Sequence, residues 1–109
     1  DKAVSTLIQA LKNQDAAVRA NAAEVLGMAG ESAVPALIQA LKNQDAEIRK
    51  GAILALGSIG SEDTVSALIQ ALQNDQSAIV RGNAAKALDS IGIIYPEALE
   101  AVKEYRSRK

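Results

Sequence analysis

The chain repeats itself. Leu7-Ile8-Gln9-Ala10-Leu11 returns as Leu37-Ile38-Gln39-Ala40-Leu41 and again as Leu68-Ile69-Gln70-Ala71-Leu72. A second block, Val18-Arg19 with Leu26-Gly27 and Gly30, returns as Ile48-Arg49 with Leu56-Gly57 and Gly60, and then as Val80-Arg81 with Leu88-Asp89 and Gly92. Residues 3–30 and 33–60 match at 17 of 28 positions without a gap. The third copy carries one extra residue near Ser61–Thr64 and another near Asn74–Ser77. A period of about 30 residues is one supersecondary unit that cannot bury its apolar face alone, so neighbouring copies must stack, and about three are the usual minimum for stability. The three copies occupy 1–30, 31–60 and 61–92, and a segment at 95–108 departs from the pattern.

Each copy reads as a helical hairpin. Val34, Leu37, Ile38 and Leu41 fall at i, i+3, i+4 and i+7, one face of a 3.6-residue period. Pro35 stands in the first turn, where a missing N–H costs nothing. Asn43-Gln44-Asp45 breaks the pattern and places Asp45 as the cap of a second helix, whose inward residues are Ile48, Ala52, Ala55, Leu56 and Ile59. Gly60 supplies the left-handed residue that ends it. Alanine-rich positions predict closely packed helices in an aliphatic core.

The two ends differ. Ile93-Ile94-Tyr95-Pro96 predicts an apolar link into a final helix from Pro96 to about Arg106, with Leu99, Val102 and Tyr105 on one face and Glu97, Glu100, Lys103 and Glu104 on the other. One apolar and one polar face suit a capping helix. Lys103, Arg106, Arg108 and Lys109 suit the negative end of its dipole, as a solvated helix end. The first helix has no such cap, and its stripe Val4, Leu7, Ile8 and Leu11 copies the internal repeats. The expectation is that the chain is part of a longer array or that another chain covers this end, the alternative being a first helix sufficient with one polar side.

Composition narrows the chemistry. The 109 residues include no Cys, His, Trp or Phe, and 12 basic side chains face 13 acidic ones. No thiolate or imidazole is available for zinc, haem or an iron–sulfur cluster, no Ser-His or Cys-His pair can form, and no disulfide can brace the fold. No cofactor is expected. A net charge of −1 argues against nucleic acid as a partner. The longest apolar runs are far short of the ~20 residues of a membrane span. No targeting segment is visible, and a cytoplasmic location is the default expectation.

The period, the Leu-Ile-x-Ala-Leu block and the Asp-x-x-Val/Ile-Arg…Ala-Leu-Gly-x-Ile-Gly block resemble the HEAT-like repeat family, in particular its short repeats named after phycobilisome lyases, over residues 3 to 92. The resemblance implies an all-α fold, a right-handed α-solenoid of three helical hairpins, here followed by the C-terminal capping helix. It places the first helix of each hairpin on the convex side and the second on the concave side, with a polar ladder of Asp and Arg between repeats. Carried over, the ladder is Asp15 with Arg19 and Asp45 with Arg49, each guanidinium able to fork onto the Asp of a neighbouring repeat. Repeat three departs from it: Arg81 is present, Ser77 stands four residues before it, and the insertion displaces Asp75.

The family's ligand-facing positions map to Ala20, Asn21, Glu24 and Met28, to Lys50, Gly51, Leu54 and Ser58, and to Gly82, Asn83, Lys86 and Ser90. None of these four positions is the same in all three copies, and Met28 and Leu54 are apolar residues of the sort a partner covers. Ala20, Gly51 and Gly82 would leave a shallow groove for a partner helix. The expected function is therefore a non-catalytic scaffold that binds a protein on its concave face, with neither nucleic acid nor membrane as partner, and with self-association through the uncapped first helix as a third reading. The alternative that the family's name suggests is a subunit of bilin lyase or isomerase type, or a chaperone. It draws little from a chain whose only aromatics are Tyr95 and Tyr105.

Overall fold

The computed structural model describes residues 2–92 and 94–108. Asp1, Ile93 and Lys109 lie outside the described residues, and with them one residue each of the apolar link and the basic cluster. Seven α-helices follow in order among the described residues: α1 (Lys2–Ala10), α2 (Ala16–Ala29), α3 (Val34–Ala40), α4 (Ala46–Ile59), α5 (Glu62–Asn74), α6 (Ala78–Ile91) and α7 (Pro96–Ser107). They form an α-solenoid in which α1/α2, α3/α4 and α5/α6 are the hairpins. A short 3-10 turn, Gly30–Ala33, leads into α3, with Pro35 in the first turn.

The punctuation follows from local chemistry. Asp15 and Asp45 each sit in extended backbone and accept the N–H two residues on, satisfying a donor that the helix start leaves free. Ser77 caps α6 with its hydroxyl, accepting the N–H three residues on, from Val80, at 3.4 Å. Gly60 closes α4 at φ 60°, the left-handed conformation that a side chain disfavours. Gly92 holds ordinary helical angles instead. What requires glycine there is Leu99 of α7, whose Cδ2 lies 2.3 Å from where a Gly92 Cβ would stand.

Val34, Leu37, Ile48, Ala52, Ala55 and Leu56 are buried, and Ile38, Leu41 and Ile59 are half-buried. Ile53 is fully buried as well, at a position where the other two copies carry Ala23 and Ala85. Each fully buried Leu or Ile contributes about 1.5–3 kcal/mol of burial free energy, so the core rests on many modest terms.

The hairpins do not stack evenly. Helix α4 packs extensively against α2 and α6, whereas α3 meets α1 and α5 at only a few residues. The close side is made possible by glycine. A Cβ on Gly27 would stand 2.8 Å from the Ser58 Cβ, and one on Gly57 would stand 2.8 Å from the Ala87 Cβ. Gly57→Ala must therefore separate α4 from α6, at about 1–3 kcal/mol by the usual cost of overpacking. Gly82→Ala meets nothing within 4 Å and should instead stabilise α6 by up to about 1 kcal/mol. Paired thermal melts of the two variants check the sign of each.

The last repeat is finished differently. Asp89 occupies the place of Gly27 and Gly57, and among the described residues no further second helix abuts it. Instead it accepts the guanidinium of Arg106 from α7 at 2.8 Å. Helix α7 lies against α5 and α6 with Ala98 and Val102 buried, Tyr105 half-buried, and Glu97, Glu100, Lys103 and Glu104 exposed. Leu99 is 44% exposed, although it seats on Gly92. Ala98 takes the central buried place that Leu99 was expected to fill.

Candidate partner-binding face

Each hairpin turn is built the same way. In repeat one, Asn13 Oδ1 accepts the Asp15 N–H at 2.9 Å, Asp15 Oδ1 accepts the Ala17 N–H at 2.9 Å, and Arg19 Nη1 donates to the carbonyls of Asn13 and Gln14 at 2.6 and 3.1 Å. Repeat two copies this with Asn43, Asp45 and Arg49, the last donating to the Asn43 and Gln44 carbonyls at 2.8 and 3.0 Å. In repeat three Asp75 Oδ1 accepts the Ser77 N–H at 2.9 Å, and Arg81 Nη1 donates to the Asp75 carbonyl at 2.5 Å. Each arginine thus braces the turn that leads into its own helix, where carbonyls at the end of the first helix lack partners.

The remaining arginine nitrogens join the repeats, with partners other than those expected. Asp15 and Asp45 are helix caps, and neither forms an ion pair with Arg19 or Arg49. Arg19 Nε pairs with Glu47 of the next repeat at 3.2 Å, and that carboxylate also holds Lys50 at 3.4 Å. Arg49 forks onto Asp75, Nε to Oδ2 at 3.0 Å and Nη2 to Oδ1 at 3.3 Å. Asp75 is therefore not displaced from the ladder. The two insertions carry it into the register of Asn13 and Asn43, and there it accepts both a backbone N–H and the guanidinium.

The twelve expected contact positions lie on α2, α4 and α6, the closely packed row. Ala20, Asn21, Glu24, Met28, Leu54, Ser58, Lys86 and Ser90 are exposed, and Lys50, Gly82 and Asn83 are half-buried. Met28 is 77% and Leu54 46% exposed. Gly51 is a correction: it is buried, and the Leu11 side chain fills its place, with Cδ2 2.6 Å from a would-be Cβ. It belongs to the packing of α1 on α4 and leaves no groove there. Gly82 does open onto free space. Asn83 and Ser90 turn their polar groups back onto their own helix, donating to the Ile79 carbonyl at 2.9 Å and the Lys86 carbonyl at 3.2 Å.

The first hairpin shows a second surface. In α1 Val4 is buried and Leu7 and Ile8 half-buried, and Leu11 just beyond it is buried, so the stripe expected to lie bare is turned largely inward. The bare apolar positions belong to α2: Val18 is 37% and Val25 45% exposed, where the matching Ile48, Val80 and Ala55 are 3%, 1% and 0% exposed.

A groove that the repeats gave no reason to expect runs between α3 and α5, with a volume of about 750 Å³. Its floor is Ile38, Leu41, Ala67 and Ala71, and Lys42 and Gln70 stand on the rim. It lies where α3 and α5 meet at only a few residues, and it extends to the turn residues Asn43, Gln44, Asn74 and Asp75. The extra residue near Asn74–Ser77 was the one signal in the sequence. Among the described residues no helix is long and apolar enough to cross a membrane.

The HEAT-repeat profile matches residues 4–89 and, in an overlapping register, residues 34–108. Of the solved structures that match, one is the crystal structure of an engineered protein, a structural-genomics consortium target, with 26% identity and a TM-score of 0.51. The match covers 94% of this chain and 50% of that one, so the chain spans about half the length of that protein. Curated proteins give no match to the chain.

Proposed function

Because this chain belongs to the HEAT-repeat family, we propose that it is a non-catalytic scaffold that holds a protein partner on its concave face, along the solvent-facing side of α2, α4 and α6. The observation that carries the reading is the pair Met28 and Leu54, two exposed apolar side chains on adjacent second helices at positions where the repeats differ most. A partner that covers them removes apolar area from water, and the charges of Glu24, Lys50 and Lys86 around them supply orientation more than affinity.

Met28→Glu combined with Leu54→Glu is expected to reduce partner capture at least about tenfold, since burying an unpaired carboxylate in an interface is costly. Helix content and melting temperature should be unchanged, because both positions are exposed. Capture by the intact chain and the double variant, read by mass spectrometry beside circular dichroism, tests this. Retention of the same partner by a folded double variant removes the face from consideration.

The exposed Val18 and Val25 favour a second reading, self-association through α2 and not through the stripe of α1. Two such faces meeting about a twofold axis give a dimer. Light scattering over a dilution series should then show the mass fall toward that of one chain, and Val25→Lys should give the monomer at every concentration.

A further inference from the structure

Two of the three ladder arginines are completed by a carboxylate from the next repeat: Arg19 by Glu47 and Arg49 by Asp75. Arg81 makes the same turn contact through Nη1, yet no carboxylate of the described residues lies within ion-pairing distance of it. Arg81 lines a cleft of about 240 Å³ against α7 together with Ala101, Glu104, Tyr105 and Arg108, above the fully buried Leu72. The one carboxylate of that cleft, Glu104, is engaged with Arg108. The cleft thus offers two guanidinium groups against one acid, an apolar wall, and a fork matched to the planar carboxylate.

We propose that this cleft reads an acidic side chain of a protein partner, the incoming Asp or Glu taking at Arg81 the position that Asp75 takes at Arg49. The site lies at the turn between α5 and α6, where Arg81 opens α6 beside α7, and so it stands independently of the face assigned above. Binding couples the Arg81 fork to the partner carboxylate, with Arg108 as a second cation and the half-buried Ala101 receiving the stem of the acidic side chain.

The test uses the whole chain with its arginine Nε–H groups followed by NMR, and as probe an acetylated, amidated Asp-Leu-Asp peptide. A saturable shift of the Arg81 Nε–H signal is expected, with the Asn-Leu-Asn peptide and inorganic phosphate giving markedly weaker effects. Arg81→Gln should weaken binding about tenfold or more, the usual consequence of losing a charge-assisted hydrogen bond. Glu104→Gln should tighten it by removing the competing acid. An unmoved Arg81 signal in the unaltered chain overturns the proposal whatever the variants do. An equal response to Asn-Leu-Asn or to phosphate overturns the carboxylate assignment.

Discussion

Replacing Arg49 with leucine is expected to lower stability by about 3–5 kcal/mol, the usual consequence of removing one partner from a buried ion pair. The Arg49 and Asp75 side chains are only 13% and 6% exposed, so solvent screens little of the loss. Without Arg49, Asp75 keeps the Ser77 N–H as a donor but loses its counter-charge, and the Asn43 and Gln44 carbonyls lose their brace. Asp75→Leu removes the same pair but leaves the brace in place, so its cost should be smaller. The double variant should recover part of the Arg49→Leu loss, because no lone charge then remains. Urea denaturation of the two single variants and the double variant, read as a thermodynamic cycle, separates pairing from bracing. A loss below about 1 kcal/mol for Arg49→Leu would place the pair with ordinary surface ion pairs. Against a total of about 5–15 kcal/mol for a domain of this kind, the expected loss is large.

The second large effect comes from one pentapeptide present three times. Leu37→Ala should cost about 2–5 kcal/mol, because Leu37 is fully buried between neighbouring hairpins and its removal leaves a cavity. Leu7→Ala, in the same Leu-Ile-Gln-Ala-Leu context, should cost about half as much or less, because Leu7 is only partly buried and the site stays open to water. Chemical denaturation of both variants decides the matter. Equal losses would mean that the local sequence, and not the neighbour across the stack, sets the contribution of each leucine.

That comparison also marks how far residues alone could be read. The hairpins, the caps Asp15, Asp45 and Ser77 and the left-handed Gly60 follow from spacing and local hydrogen bonding, and these are fixed within a few residues of each site. What was hidden depends on a neighbouring repeat. Gly51 looks like an open surface position on its own helix, and only the reach of Leu11 from α1 buries it. By sequence Asp75 stands six residues before Arg81, whereas Asp15 and Asp45 stand four before Arg19 and Arg49. In space it occupies the turn position of Asn43, and it serves the arginine of the repeat before it. Ile53 and Ala98 are fully buried too, at positions that the spacing within their own helices did not single out. The groove between α3 and α5 lies between two helices that barely touch, a spacing that no periodicity within either one reveals.

The glycines at 27 and 57 make the molecule a fan whose ribs are pinned along one edge. Helix axes pack about 8–10 Å apart, and the free edge of each rib lies roughly that far from its pin. A change of about 1 Å at a pin, on the scale of an added methyl group, therefore swings the adjoining rib by roughly 6°. Two pins in series would double the angle between the first and last ribs. The span between Met28 on one rib and the Arg81 turn on another is thus adjustable by a single methyl group at Gly57, which belongs to neither. Gly27→Ala and Gly57→Ala should widen that span in small steps, which small-angle scattering can follow as a rise in the radius of gyration relative to the unaltered chain measured alongside.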